Sequence, residues 1–573
     1  MTPPVHATHP EIVSDGIPPR RPGWVERATS ADHKSVGLMY IAMALGFLAV
    51  ALVEFVMMRI QLIVPENTLI EPQTFDRILS VSGATTVFLF ALPLMLGLIS
   101  YLVPLQIGSR GIALPRLGLL SFWLYAAGAT TIYASFLWTP PEAGFAALPP
   151  LSDAFFSPSA GVDAWVIGVG LAVLGFACFA INLLVTVRNM RAPGMAWRRL
   201  PLFSWAGTMI CGLQLFAGTL LLAALTMLLI DRHFDGVFFD SQEGGAPLLY
   251  QHLAWIFFSA VFASILVFAF GVICEILPVF ARKPLFSRRT AMGSIAAVAV
   301  LALLSWMQNM YSAPLGLGLD IFAMLMAIGL LIPIGLLVFD CVATLWHGAV
   351  HFRAAVWYSI AAISALSFGL AGKLMSAVVP VGWQLDHTTA AQQDTIVVLV
   401  GGAVFGGFAA LHYWFPKLSG RLMGEGIGRV ALLDMALGLA LLAVGMFLAG
   451  VKAQPVDVYK YFQDAGVDGY NLIASIGSFI LAVGVLLEVG NAAWSYRHGV
   501  PAGHDPWGGS TLEWFALSPP PIHNFDAVPD VRSAEPLPEI RETIRMRTAS
   551  WAAEPATQEA RADGDGSRGA PVA

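Results

Sequence analysis

The sequence predicts an all-α transmembrane protein with about twelve membrane-spanning helices and both termini in the cytoplasm. Hydrophobic residues make up 57% of the 573 residues and charged residues only 12%, which is too apolar for a soluble domain. The apolar residues collect in about twelve stretches, each long enough to cross roughly 30 Å of hydrocarbon as a helix. Lysine and arginine collect on alternate connecting segments, which the positive-inside rule assigns to the cytoplasm.

The predicted spans follow one another with short connections. We place them near residues 35–62, 81–105, 117–140, 162–187, 204–231, 249–281, 290–313, 318–347, 353–379, 391–416, 429–452 and 469–496. The connecting segments on the side opposite to the basic ones hold only four cationic residues, Arg77, Arg232, Lys452 and Lys460. An even number of spans then places both termini on the basic, cytoplasmic side.

Four regions are predicted along the chain. Residues 1–34 form a cytoplasmic N-terminal segment without the apolar core and small-residue cleavage site of a signal peptide, so the first helix is expected to insert uncleaved. Residues 35–496 form the twelve-helix membrane domain, and residues 497–526 a cytoplasmic tail. Residues 527–573 are rich in Glu, Arg, Ala, Pro and Gly, a composition that predicts disorder.

Charge and cysteine content exclude two classes of function. The formal net charge of -6 provides no basic surface, so no nucleic-acid partner is expected. The four cysteines lie inside apolar runs and form neither a CxxC nor a CxxCH motif, which indicates buried thiols rather than a metal or covalent haem site.

Several segments at helix ends and in loops carry a family resemblance. The segments are DHKSVGLMY (32–40), YLVPLQIGSRGIALPRLGLLSFW (101–123), DRHFDGVFFD (231–240), PLLYQHLAW (247–255), EILPVFARKPLF (275–286), ATLWHG (343–348), YWFPKLSGR (413–421) and DPWGGSTLEWFALSPPPIHNF (505–525). In order and without large gaps over residues 30–530, they resemble subunit I of the haem-copper respiratory oxidases. The resemblance implies the helix arrangement of that subunit, a bacterial-type cytoplasmic membrane, and subunit II-like and III-like partners.

That family uses two haems and copper, which histidine side chains hold because neutral imidazole suits iron and copper. The resemblance places other residues at all six ligand positions: Ser82 and Ile396 for the low-spin haem, Asp394 for the high-spin haem, and Ser259, Gln308 and Asn309 for copper. Trp306 and Met310 remain on either side of the copper pair, so the changes are local and not a misalignment.

The residues that support the family's cofactors are changed as well. The resemblance aligns two propionate-binding arginines with Ala453 and Gln454, and the marker residues of two proton channels with Gly111 and Leu337. A proton-delivering glutamate and a crosslinked tyrosine align with Val261 and Ala263. The pair that resembles the family's outer magnesium site is inverted, Asp386 then His387, which makes that metal doubtful.

These changes predict a chain without catalytic residues, haem or copper, with bound lipid as one candidate filling of the emptied pockets. We expect a membrane scaffold for subunit II-like, subunit III-like or catalytic subunit I-like partners. One alternative is an active oxidase with unorthodox ligands. Another is a transporter or channel through the emptied pockets, for which Glu54, Lys373 and Asp394 are the intramembrane ionisable candidates.

Lys373 and Asp394 are predicted to form a buried charge pair. The ninth and tenth spans are expected to run antiparallel about the loop 380–386, which puts these two residues at equal depth. An isolated carboxylate at that depth would cost several kcal/mol, and a lysine beside it would plug the high-spin haem pocket. The alternative is that Lys373 faces a subunit interface while Asp394 is neutral or bonds Gln308 or Asn309.

Overall fold

The computed structural model describes residues 23–311, 313, 316–525, 527–528 and 530–543. The regular structure of these residues is helical, apart from two isolated β-bridges. Twelve helices are long and apolar enough to cross a membrane, which confirms the predicted fold class. We label them α1 to α12 in chain order: His33–Gln61, Pro72–Gln106, Pro115–Leu137, Ala160–Asn189, Leu202–His233, Pro247–Ala281, Arg288–Met310, Leu317–Leu345, Ala354–Ala377, Thr389–Ser419, Glu425–Val451 and Asp468–His498.

The helix starts follow local sequence signals. Asp32 precedes α1 and its carboxylate accepts a hydrogen bond from the backbone N–H of Lys34, which satisfies one of the donors that a helix N-terminus leaves unpaired. Ser287 caps α7 in the same way. The helices α2, α3 and α6 begin with proline, which is favourable in a first turn because its missing N–H has no partner there.

Helices α2, α6 and α10 form the centre of the bundle, since most of each lies inside the protein, whereas α8 is largely peripheral. Sequential helices pack as neighbours in the pairs α1–α2, α3–α4, α5–α6, α9–α10 and α11–α12. Across the chain, α6 contacts α9 and α10, and α1 contacts α12. The core is therefore one continuous apolar cluster that spans the bundle.

Several spans are interrupted. A π-helical stretch replaces regular α-helix over Thr85–Ala91 in α2 and over Val400–Phe405 in α10. Helix α7 ends in a 3-10 turn, Trp306–Met310, and α8 is broken at Leu330. Such interruptions often occur at functional sites, and α2, α7 and α10 are helices on which the resemblance places haem or copper positions.

The C-terminal segment closes one end of the bundle. Glu513 is buried and its Oε1 accepts hydrogen bonds from Gln106 Nε2 at 3.2 Å, Trp414 Nε1 at 3.2 Å and Thr511 Oγ1 at 2.9 Å. Burial raises the pKa of Glu513 above its ordinary value, which these hydrogen bonds partly oppose. The DPWG segment is therefore joined to the ends of α2 and α10.

Residues 530–543, which belong to the predicted disordered tail, pack against the bundle. Val531 and Leu537 are almost fully buried, and their backbone N–H groups donate to Pro193 O and Ser510 O. These two apolar side chains anchor a segment whose average composition is that of a disordered chain. Residues 1–22 and 544–573 of the two predicted terminal regions lie outside the described residues.

Candidate functional site

Ser82 and Ile396, at the predicted low-spin haem positions, provide no iron ligand of the family type. Ser82 is partly buried in α2, and its hydroxyl donates to Leu79 O of the same helix at 3.0 Å. Ile396 is a partly buried apolar side chain on α10 that packs against the core. It has no donor atom, so the pair cannot clamp an iron from two faces.

Aromatic side chains occupy the space next to Ser82. The neighbouring Gly83 is covered by Phe145, because a Cβ added to Gly83 would lie 2.6 Å from the Phe145 Cβ. The Phe145 ring contacts Phe258 and Trp255 of α6 with centroid distances of 5.7 and 6.2 Å. These rings fill the space beside Ser82 closely, as expected for an interior that packs without large voids.

Arg59 forms hydrogen bonds within the chain. It is buried near the C-terminal end of α1, and its Nη2 donates to Asn471 O at 3.0 Å and to Ser475 Oγ at 3.3 Å of α12. Asn471 Nδ2 in turn donates to Gln454 Oε1 at 2.8 Å. Gln454, which the resemblance aligns with a propionate-binding arginine, thus belongs to a hydrogen-bond network that holds Arg59.

The predicted copper positions bond to backbone groups or lie in the core. Gln308 Nε2 donates to Lys373 O at 3.1 Å, and Asn309 Nδ2 to Trp306 O at 3.4 Å. Ser259 is buried on α6. Within the described residues, no group of three or more His, Cys, Asp or Glu side chains could hold a metal ion, and an amide pair with a serine is a poor donor set for copper.

Asp394, at the predicted high-spin haem position, is buried against the backbone of α9. A Cβ added to Gly372 would lie 1.8 Å from Asp394 Oδ1, so only glycine permits this approach. Asp394 and Lys373 attract each other electrostatically, yet they form no direct ion pair within the described chain. Lys373 and Asp394 therefore do not pair directly, and their pairing through one bridging water stays a prediction.

The expected alternative bonds of Asp394 are not formed either, since the amide groups of Gln308 and Asn309 donate elsewhere. Lys373 instead lines a cavity of about 30 Å³ between α6, α7, α8 and α9, together with Gln308. A water-sized guest needs roughly 10–15 Å³, so this space is far too small for a haem.

The outer pair Asp386 and His387 lies beside this region. Their Oδ2 and Nε2 atoms are 3.5 Å apart, but the pair is not part of a three-ligand group in the described structure. A larger pocket of about 270 Å³ lies apart from the predicted cofactor positions and is lined by acidic residues, among them Asp153, Asp231 and Asp240.

Sequence reasoning missed a buried contact between His412 and Glu488. His412 lies inside the bundle, and its Nε2 is 2.6 Å from Glu488 Oε1 of α12. Glu54, an expected channel residue, is bonded locally: Tyr133 donates to its Oε1 at 2.9 Å and Thr85 at 3.4 Å. Both contacts join helices distant in sequence, so no local motif marks them.

Comparison with known proteins gives concordant matches. The family described as "Cytochrome C and Quinol oxidase polypeptide I" matches residues 35–480. The chain is 34% identical to cytochrome c oxidase subunit 1 of Bacillus subtilis over 511 residues, which cover 89% of this chain and 82% of that protein. It is 32% identical to quinol oxidase subunit 1 of Bacillus subtilis, over 91% of this chain and 81% of that protein.

A solved haem-copper terminal oxidase dimer, determined by electron cryomicroscopy, has the same fold. The TM-score is 0.69 at 16% sequence identity, with 82% of this chain and 84% of that chain covered. This likeness confirms the arrangement of the twelve helices that the resemblance implied.

Proposed function

Because this chain belongs to the haem-copper oxidase subunit I family, we propose that it is a cofactor-free subunit I that serves as a membrane scaffold in a respiratory terminal oxidase assembly. The observation that carries the proposal is the donor set. Ile396 has no donor atom, Ser82 bonds its own helix, and Gln308 and Asn309 bond backbone carbonyls. In this proposal the chain is a pseudoenzyme, with no catalytic residue of its own.

The internal contacts at these positions support a stable apo chain. Phe145 covers Gly83 beside the low-spin position, and Gln454, at a position that the resemblance assigns to a propionate-binding arginine, forms a network with Asn471 and Arg59. A chain that held cofactors through unorthodox ligands would keep such groups free to ligate. We therefore favour a cofactor-free chain over an oxidase with unorthodox ligands.

Relatives named as cytochrome c and quinol oxidase subunits support partners in the membrane. We infer subunit II-like and III-like chains, a catalytic subunit I, or several of these as partners, with lipid around the remaining surface. The retained tail motif is folded onto the bundle end through Glu513 and Trp507, so the chain presents a family-like face there. The multi-pass chain is homologous to bacterial oxidase subunits, and we place it in a bacterial-type cytoplasmic membrane.

A transporter or channel through the emptied pockets is less well supported. Glu54 is tied to Tyr133 and Thr85 instead of facing a path. Val261 and Leu337, at positions that the resemblance assigns to proton transfer, are buried in the apolar core. A permeation path needs a continuous file of polar groups, and these two side chains interrupt it.

Purification from native membranes in mild detergent tests the scaffold role. We expect an affinity-tagged full chain to recover oxidase subunits in fixed proportion, because a scaffold role requires stable contacts with them. A tagged, unrelated multi-pass protein of the same membrane is the control. Recovery of the chain alone, at expression levels no higher than native, would contradict the proposal.

A further inference from the structure

The small cavity between α6, α7, α8 and α9 has a polar edge and apolar walls. Lys373, Gln308 and Ser305 form the edge, and Phe262, Leu330 and Leu370 are among the walls. All four helices are membrane spans, and the break in α8 and the 3-10 turn of α7 both border the cavity. Helix interruptions of this kind occur where membrane proteins bind small ions.

The polar edge has hydrogen-bond donors without an acceptor in the described residues, beside the acceptor oxygens of Gln308 and Ser305. The Lys373 ammonium has three N–H groups, none of which donates a hydrogen bond within the described residues. Gln308 Nε2 has two, of which one is used on Lys373 O. The Ser305 hydroxyl donates to Ala302 O at 2.9 Å. The cavity therefore presents a positive charge and unused N–H groups.

Asp394 does not satisfy these donors. Its carboxylate lies against Gly372 and is not part of the cavity lining, so it attracts Lys373, as Asp386 does, without a direct ion pair. A charge in a low-dielectric region is costly unless its hydrogen-bonding groups are satisfied. A guest that accepts hydrogen bonds and carries negative charge removes that cost more fully than water does.

We propose that this cavity binds one monovalent inorganic anion of the size of chloride. A volume of about 30 Å³ accommodates about two water-sized guests, which excludes a lipid headgroup or a fatty-acid carboxylate with its chain. The inference rests on the proposed function, because a copper ion held at Gln308 would occupy the same region.

Equilibrium binding of radioactive chloride to the purified full chain in detergent tests the site. We expect one chloride per chain. Replacing Lys373→Met removes the charge at similar length and should weaken chloride binding roughly tenfold or more, as expected for a lost charged hydrogen bond. Lys452→Met, at an exposed lysine, removes the same charge elsewhere and should leave binding unchanged.

The thermal midpoint supplies a second readout that needs no variant. Chloride and bromide should raise the midpoint relative to gluconate at equal ionic strength, with an effect that saturates as the site fills. Absence of chloride binding, or equal binding by wild type and Lys373→Met, overturns the site. If Lys373→Met does not fold, the site is tested by chloride binding to Gln308→Leu, which should be weaker, and by the halide selectivity of the wild type. Copper and haem are measured on the same sample. A chain that contains neither metal nor haem and does not bind chloride refutes the anion site but not the proposed function.

Discussion

Replacement of Glu488→Leu is expected to destabilise the chain by about 3–5 kcal/mol. Glu488 is fully buried and its Oε1 lies 2.6 Å from His412 Nε2, which is also buried. Asn491 Nδ2 donates to the other carboxylate oxygen at 3.4 Å, and the Tyr358 ring stacks on the imidazole with a centroid distance of 5.4 Å. Removing the carboxylate leaves the His412 Nε2 without its partner in the interior, which is the costly outcome, whereas the Asn491 amide keeps its bond to Gly424 O at 2.9 Å.

The double variant His412→Leu with Glu488→Leu is the control for this prediction. Two apolar residues of similar volume can replace a buried pair at little cost, so the double variant should recover most of the loss. The measurement is the free energy of unfolding from denaturant titration in micelles. A single variant as stable as the wild type would show that the pair contributes nothing to the packing of α10 on α12.

Replacement of Gly477→Leu is expected to cost about 3 kcal/mol or to prevent folding, at or beyond the upper end of the usual overpacking range. Gly477 of α12 faces Gly438 of α11, and a Cβ added to Gly477 would lie 2.4 Å from Leu442 N and 2.7 Å from Gly438 O. These are backbone atoms that cannot rotate away. Small residues allow this close helix approach, which stabilises packing in a membrane where the lipid is as apolar as the protein.

Gly490→Leu is the matched control because Gly490 lies on the same helix, is exposed, and has no atom within 4 Å of an added Cβ. We expect its unfolding midpoint to stay close to that of the wild type, while Gly477→Leu loses the α11–α12 contact. Equal midpoints for both variants would mean that the two helices are held by other contacts.

The membrane fold was predictable because hydrophobic length and charge bias act locally and strongly. The helix starts were less predictable. Helix α2 begins at Pro72, well before the apolar run, and the prediction missed this first part because its charged residues Asp76 and Arg77 lower the hydropathy of the segment. The π-helical stretches were not predictable, since their sequences, TTVFLFA and VGGAVF, contain no breaker that distinguishes them from regular helix. Tertiary packing decides them.

Side-chain partners were predictable only in part. Equal depth predicted Lys373 and Asp394 as neighbours, but it could not show that the Asp394 carboxylate lies against Gly372 of the α9 backbone. The partners of His412 and Arg59 lie on α12, and periodicity within one helix contains no information about which distant helix faces it.

The haem and copper content of the full chain, purified together with its native partners and then separated from them, tests the central claim most directly. A pyridine haemochromogen assay and elemental analysis measure both, and the B. subtilis cytochrome c oxidase subunit 1 prepared in the same way is the positive control. We predict no Soret absorption and no copper above background in the separated chain. Haem or copper in a fixed ratio to the chain would contradict the account.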